Sequence, residues 1–291
     1  MLDIIGVIIA LLGTLYSSYT DIKTGEVSEK LVYSMIGIGV ILVILDYSMS
    51  SAIWIFGLAA LVFALGFALY IFGQIGGGDV FLFTALALLV PNYPAFLKPL
   101  MAQLGISPVT PIYPFIVPVF LMSGIFFMVV IPTIYLRKLF KQKKRIEDFR
   151  RKVLYGLIYC AVFLPLIYMW SRLSSLIAVL FIPMFFAFMI IPFKDDVVRL
   201  FFARKKKVSA LNDDDVLALE VMSQGVIKKL GLWRKTFTKL ELGKIKERAK
   251  KYKITTVMVC EDLPKYVPYI FASLVLNLIF GDVFFYLFQL G

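Results

Sequence analysis

The chain has 291 residues, 60% of them hydrophobic, with a mean hydropathy of +0.88 and a formal net charge of +12. That apolar content lies outside the range of soluble domains, so the chain reads as a polytopic membrane protein. Two cysteines without a CxxC spacing, and no histidine, exclude a disulfide framework, a four-thiolate or His-ligated zinc site, and Ser-His or Cys-His catalysis.

Taken in order, hydrophobic segments are expected at residues 2–20, 30–46, 51–75, 79–92, 113–136, 153–170, 174–193 and 267–289. They amount to about six to eight transmembrane helices. The first begins at Met1, lacks a basic n-region and ends in SSYTD, and so reads as a retained span rather than a signal peptide. The fourth, from Asp79 to Val90, is only about 18 Å long at 1.5 Å per residue, and Pro91 follows it. Either it continues past the proline or it begins below the membrane surface. Both options put the preceding GGGD at the edge of the hydrocarbon or inside it.

Loop charge sets the expected orientation. RKLFKQKKRIEDFRRK (137–152) holds nine Lys/Arg against two acids and belongs in the cytoplasm, where it meets anionic lipid headgroups. The proline-rich stretch 91–114 has one lysine and suits the outer face. Counting back puts the N-terminus outside, and both the turn DIKTGEVSEK (21–30) and GGGD on the cytoplasmic side. Counting forward puts the polar block 194–266 there too. With the basic excess confined to loops between spans, nucleic acid is not an expected partner.

The polar block reads as a small α+β domain. VSALNDDDVLALEVMSQGVIKKLGL resembles a helix start behind an acidic cluster, KLELGKIKERAKKYK a basic amphipathic helix, and ITTVMVC a strand. The expected architecture is an all-α polytopic membrane protein with this cytoplasmic unit: a membrane domain over 1–193, a soluble domain over 194–266 and a final transmembrane helix over 267–291. No internal repeat is visible.

The chemistry-bearing stretch is FGQIGGGDVFLF, in which Asp79 follows Gly76, Gly77 and Gly78. An acid beside hydrocarbon is costly and is functional by default. Its candidate partner is Asp21, which ends the first segment at the same membrane face. Two carboxylates sharing a site hold one proton between them. The ionised member can take a proton from water while the other polarises a peptide carbonyl, which is hydrolysis without a covalent intermediate. That chemistry needs no cofactor and no metal. Glycines ahead of one acid let the backbone bend and a substrate approach closely.

SSYTDIKTGEVSEKL together with IGGGDVFLFTALALLVP resembles the GxGD aspartyl peptidases of the membrane, and within them the archaeal type IV prepilin and preflagellin peptidases, relatives of the bacterial prepilin peptidases. The resemblance implies Asp21 and Asp79 as the catalytic pair. It implies cleavage of a short basic leader from a pilin or archaellin precursor on the cytoplasmic side. EDLPKYVPYIFASLVLNLIFGD resembles the family's final segment. Phe81 stands where bacterial members often have Lys, and Ser28 where archaeal relatives commonly have Pro. The CxxC insertion linked to N-methylation is absent, so methyltransferase activity is not expected.

Other readings stand beside this one. Asp79 alone could be an N-cap, and Asp21 alone a solvated helix end. A cation- or proton-coupled transporter could use the same acids, a presenilin-like GxGD protease could cut within the substrate's span, and an inactive relative could scaffold pilus or archaellum assembly. Asp195, Asp196 and the cluster Asp213, Asp214 and Asp215 could face a basic leader or form a solvated acidic loop. Asp3, Asp46 and Asp282 fall on the outer side and are given no role. Asn277 is expected to hydrogen-bond to a neighbouring helix.

Overall fold

A computed structural model describes residues 2–71, 74–171, 175–212, 215–235, 237–261, 264–283 and 285. Helices occupy all eight hydrophobic segments. The first four are α1 (Leu2–Thr24), α2 (Glu29–Asp46), α3 (Met49–Ile71) and α4 (Gly77–Leu89). α1 stops at Gly25, whose φ of 79° is left-handed and whose N–H donates to the Asp21 carbonyl at 2.9 Å, a glycine C-cap. α4 stops at Val90, directly before Pro91. The residue ahead of a proline is driven from the helical region, so this segment ends there rather than running on.

α4 is the centre of the bundle. Every residue from Leu82 to Leu89 is buried, and the helix packs against α1, α2, α3 and α6 (Ile116–Lys141). A helix covered on all sides needs no polar face, which is why, apart from Asp79 and Thr84, its sequence has no polar side chain. Its neighbours approach closely through glycine. A Cβ added at Gly6 of α1 would lie 2.4 Å from the Leu89 carbonyl oxygen, at Gly39 of α2 2.8 Å from the Leu88 Cβ, and at Gly66 of α3 2.9 Å from a Val80 methyl. Small residues at helix contacts are the usual means of close packing in lipid.

A short helix, α5 (Leu97–Gln103), lies in the 91–114 loop, where none was expected. After α6 come α7 (Phe149–Ser171), α8 (Ser175–Ile190) and the single turn α9 (Lys194–Val197). Among the described residues, three helices are long and apolar enough to cross a membrane: Leu2–Thr24, Met49–Ile71 and Ile116–Lys141. Gly77–Leu89 and Val267–Phe280 are apolar but shorter. α2 is 18 residues long and carries Glu29, Lys30 and Asp46 at its ends. Ile8, Leu12, Ile41, Ile44, Trp54 and Leu65 are exposed on these helices. An outward surface that greasy calls for lipid around it, and the chain is a membrane protein.

The polar block holds a three-stranded antiparallel sheet of β1 (Ala203–Lys207), β2 (Val216–Leu217) and β3 (Thr256–Cys260), with β3 in the middle. α10 (Gln224–Leu230) and α11 (Lys239–Lys251) cover it, and Leu217, Leu230, Ile245, Val257 and Val259 form its core. The strand expected from ITTVMVC and the basic helix are both present. The helix expected behind the acidic cluster is not: Val216 and Leu217 pair with Cys260 and Val259, and α10 begins only after its cap Ser223. β1 reads ARKKK and gives no alternation of apolar and polar residues; pairing to β3 makes it a strand, and a lysine-rich strand is at home on a sheet edge.

Asp196 is buried and ion-paired to Lys152 and to Arg199, the latter at 2.9 Å. Asp215 is held by Lys206 at 2.7 Å. Neither is a free acceptor for a basic leader, because each is already spent on a structural cation. Asp213 and Asp214 lie outside the described residues. The last helix, α12 (Val267–Phe280), lies against α1 and α6. Ser273 donates to the Val119 carbonyl at 2.7 Å, and Asn277 Nδ2 donates to the Ser273 and Pro118 carbonyls at 2.8 and 3.5 Å. The inter-helix bond expected of Asn277 is thus made to α6. Just beyond α12, buried Asp282 accepts a bond from the Tyr113 hydroxyl.

Two outcomes follow from this packing. Gly39→Ala should cost about 1–3 kcal/mol as an overpacked contact, whereas Gly57→Ala, which meets nothing within 4 Å, should cost nothing. Thermal unfolding of the two variants in detergent checks this, and equal midpoints would refute the close-contact account. In the sheet unit, the Thr238 N–H, and after it the Arg234 guanidinium, hold the Glu241 carboxyl down to about 2, against an ordinary 4.5. A depressed acid contributes stability that is complete above 4.5 and fades as pH falls toward about 2. Exchange protection of α11 amides should therefore decline over that window, and Glu241→Gln should flatten the decline.

Candidate active site

Asp21 lies one turn from the end of α1, and Asp79 lies in the first turn of α4. These two helix ends meet, and both acids are buried, with only 6% and 8% of their surface exposed. They are near enough for the charge of Asp21 to be felt at Asp79. Asp79 Oδ2 accepts the Gly76 N–H at 3.0 Å, the reaching-back half of a capping box. Asp79 is therefore an N3 residue of α4 and not its N-cap. Among the described residues its Oδ1 accepts no hydrogen bond. Asp21 Oδ2 accepts the Val267 N–H at 3.1 Å, across 246 residues of sequence, with the Tyr266 amide beside it. Neither acid is the solvated surface residue that its position beside a polar turn allowed.

The three glycines serve unequal ends. None of them has a left-handed φ, so a sharp bend is not their use here. A Cβ at Gly78 would lie 2.8 Å from the Val27 Cβ, and one at Gly76 would lie 3.1 Å from Asp79 Oδ2. A Cβ at Gly77 would make only ordinary contact with the Tyr70 ring, at 3.6 Å. Gly78 thus lets the turn after α1 settle onto the start of α4, and this contact joins the two motifs. At about 20 Å, at 1.5 Å per residue, α4 is too short to bridge a ~30 Å hydrocarbon core.

Several neighbours of the acids were not expected from the sequence. Tyr266 and Val267 come from the start of α12, Lys265 lies over Gly25, and Ser123 reaches in from α6. The proline at the second position of α12 marks a helix start, a signal that locates the helix but not what it touches. Ser17, one turn before Asp21, is buried with no hydrogen-bond partner for its hydroxyl among the described residues. Cys160 and Cys260 are free thiols. Among the described residues no group of three metal-binding side chains converges.

Residues 8–135 match the Type IV leader peptidase family, a stretch that contains both Asp21 and Asp79. The chain is 39% identical over 120 residues to a protein of Methanothermobacter thermautotrophicus named Prepilin peptidase EppA. The aligned stretch is 40% of this chain and 31% of that protein, so the chain spans under a third of the relative's length. No solved structure matches. The resemblance of the two aspartate motifs to prepilin and preflagellin peptidases is borne out over the part of the chain that carries them.

The contact between Gly78 and Val27 can be tested by a double-mutant cycle. Gly78→Ala alone should lose about 1–3 kcal/mol of stability, and in a Val27→Ala background much of that loss should disappear. Additive losses in thermal unfolding would show that the two residues do not share the contact.

Proposed function

We propose that this chain is a membrane aspartyl endopeptidase that removes the short basic leader from type IV pilin-like or archaellin precursors. Asp21 and Asp79 are the working pair and water is the nucleophile. The observation that carries the reading is the meeting of two buried acids, brought from opposite ends of a long stretch of sequence to one polar spot in an apolar bundle. The family match over residues 8–135 supports it independently, as does the printed name of the similar archaeal protein.

In the proposed reaction one carboxylate takes a proton from water while the other, protonated, donates to the carbonyl oxygen of the scissile peptide. Hydroxide adds to the carbonyl carbon to give a tetrahedral gem-diol. The diol then collapses as the C–N bond breaks: the proton first taken from water passes to the leaving amine, and one diol hydroxyl returns its proton to the acid that had donated to the carbonyl. The pair ends as it began, with one proton between them. Low polarity around the acids strengthens each of these hydrogen bonds. Gly76, with Gly77 and Gly78 as the first residues of α4, presents Asp79, and Gly78 lets the turn after α1 close against it.

The division into a membrane domain (1–193), a soluble domain (194–266) and a last helix (267–291) belongs to the same reading. So does an N-terminus outside the membrane with both acids and the sheet unit in the cytoplasm. The nine Lys/Arg of 137–152 support that orientation. The precursor would then present its leader from the cytoplasm with its own hydrophobic helix in the bilayer.

The test is cleavage by the full chain, in detergent, of a pilin or archaellin precursor. Wild type should give one shortened product. Asp21→Asn and Asp79→Asn should each lower the rate by at least about a thousandfold, since loss of either member leaves no acid–base pair. A wild-type chain that leaves the precursor intact but carries an acid-dependent ion flux in vesicles would replace the peptidase reading with a transporter.

A further inference from the structure

We propose that the lead-in to α12, from Lys265 to Val267, is a third arm of the site, with Tyr266 as a positioning residue that sets the two acids relative to each other. This rests on the reading of Asp21 and Asp79 as a working pair. The arm lies well outside residues 8–135, the stretch that matches the leader peptidase family.

Tyr266 touches both sides of the site. Its backbone flanks the Val267 N–H that donates to Asp21 at 3.1 Å. Its ring lies 6.2 Å from that of Phe83, one helical turn deeper on α4 than Asp79. On the other side the ring meets Phe127 of α6 edge-on, at 5.1 Å and 88°. The Tyr266 hydroxyl is 2.9 Å from Ser123 Oγ. Ser123 spends its own proton on the Phe120 carbonyl at 2.8 Å, so Tyr266 is the donor in that bond. The phenol is thereby aimed by a single acceptor, while its oxygen stays close enough to feel the charge of Asp79.

Lys265 completes the arm. A Cβ on Gly25 would fall 2.5 Å from its ammonium nitrogen, so the lysine lies over the C-terminal end of α1, the favourable end for a cation. Its charge reaches Asp21.

The test is steady-state cleavage of a synthetic precursor by the full chain, with unfolding midpoints measured alongside. Tyr266→Phe keeps the ring and the amide and removes only the hydroxyl. Ser123→Ala removes the acceptor that aims it, and Ser123→Thr restores that acceptor. Misplacement of reacting groups by about 1 Å can cost a hundredfold, so Tyr266→Phe and Ser123→Ala should lower kcat by roughly ten- to hundredfold with KM nearly unchanged. Ser123→Thr should recover most of the rate. Wild-type kcat in Tyr266→Phe and Ser123→Ala overturns the proposal, as does a loss that appears in KM alone or fails to recover in Ser123→Thr. If Tyr266→Phe does not fold, the two Ser123 variants decide. Retained cleavage in Asp21→Asn or Asp79→Asn sinks the acid pair itself, and a wild-type chain with no cleavage sinks both readings.

Discussion

A carboxylate drawn out of water must be met by donors, and Asp21 is met by the first turn of the last helix. The Val267 N–H reaches it across 246 residues. An unmet acid at that depth would be costly, since burying a polar group without partners runs to several kcal/mol. This bond ties the start of α12 to the end of α1, and further along α12 Ser273 and Asn277 meet the carbonyls of α6.

The same need shapes the near side. Asp79 opens a helix that is buried from Leu82 to Leu89, so every neighbour must fit round a cylinder with no solvent face. Glycines on α1, α2 and α3 supply that fit, and Gly78 lets the turn after α1 close over the start of α4. The two acids come within electrostatic reach because the backbones around them are allowed to touch.

The sheet unit carries fifteen Lys/Arg against seven acids between residues 203 and 261. Its internal acids, Asp215, Glu220 and Glu241, are taken up by Lys206, Lys235 and Arg234, leaving a basic surface that favours anionic lipid over a basic peptide.

The sequence alone determined the membrane class, the places of the eight helices, the basic helix and the strand in ITTVMVC; whether the fourth helix stops at Pro91 or runs past it was settled only by the structure. Each of the features read from the sequence depends on local composition or periodicity, which a chain displays in order. It also singled out Asp21 and Asp79, because an acid next to glycines and hydrocarbon is conspicuous in any arrangement. Only the tertiary structure decided that the two acids come within electrostatic reach, that Asp196 is bound to Lys152 and Arg199 instead of being available, that ARKKK is a strand, and that Tyr266 and Val267 meet Asp21 while Ser123 bonds to Tyr266. These are contacts between residues far apart in the chain. Whether such residues meet depends on how buried helices exclude one another's volume, and no local pattern along the chain records that.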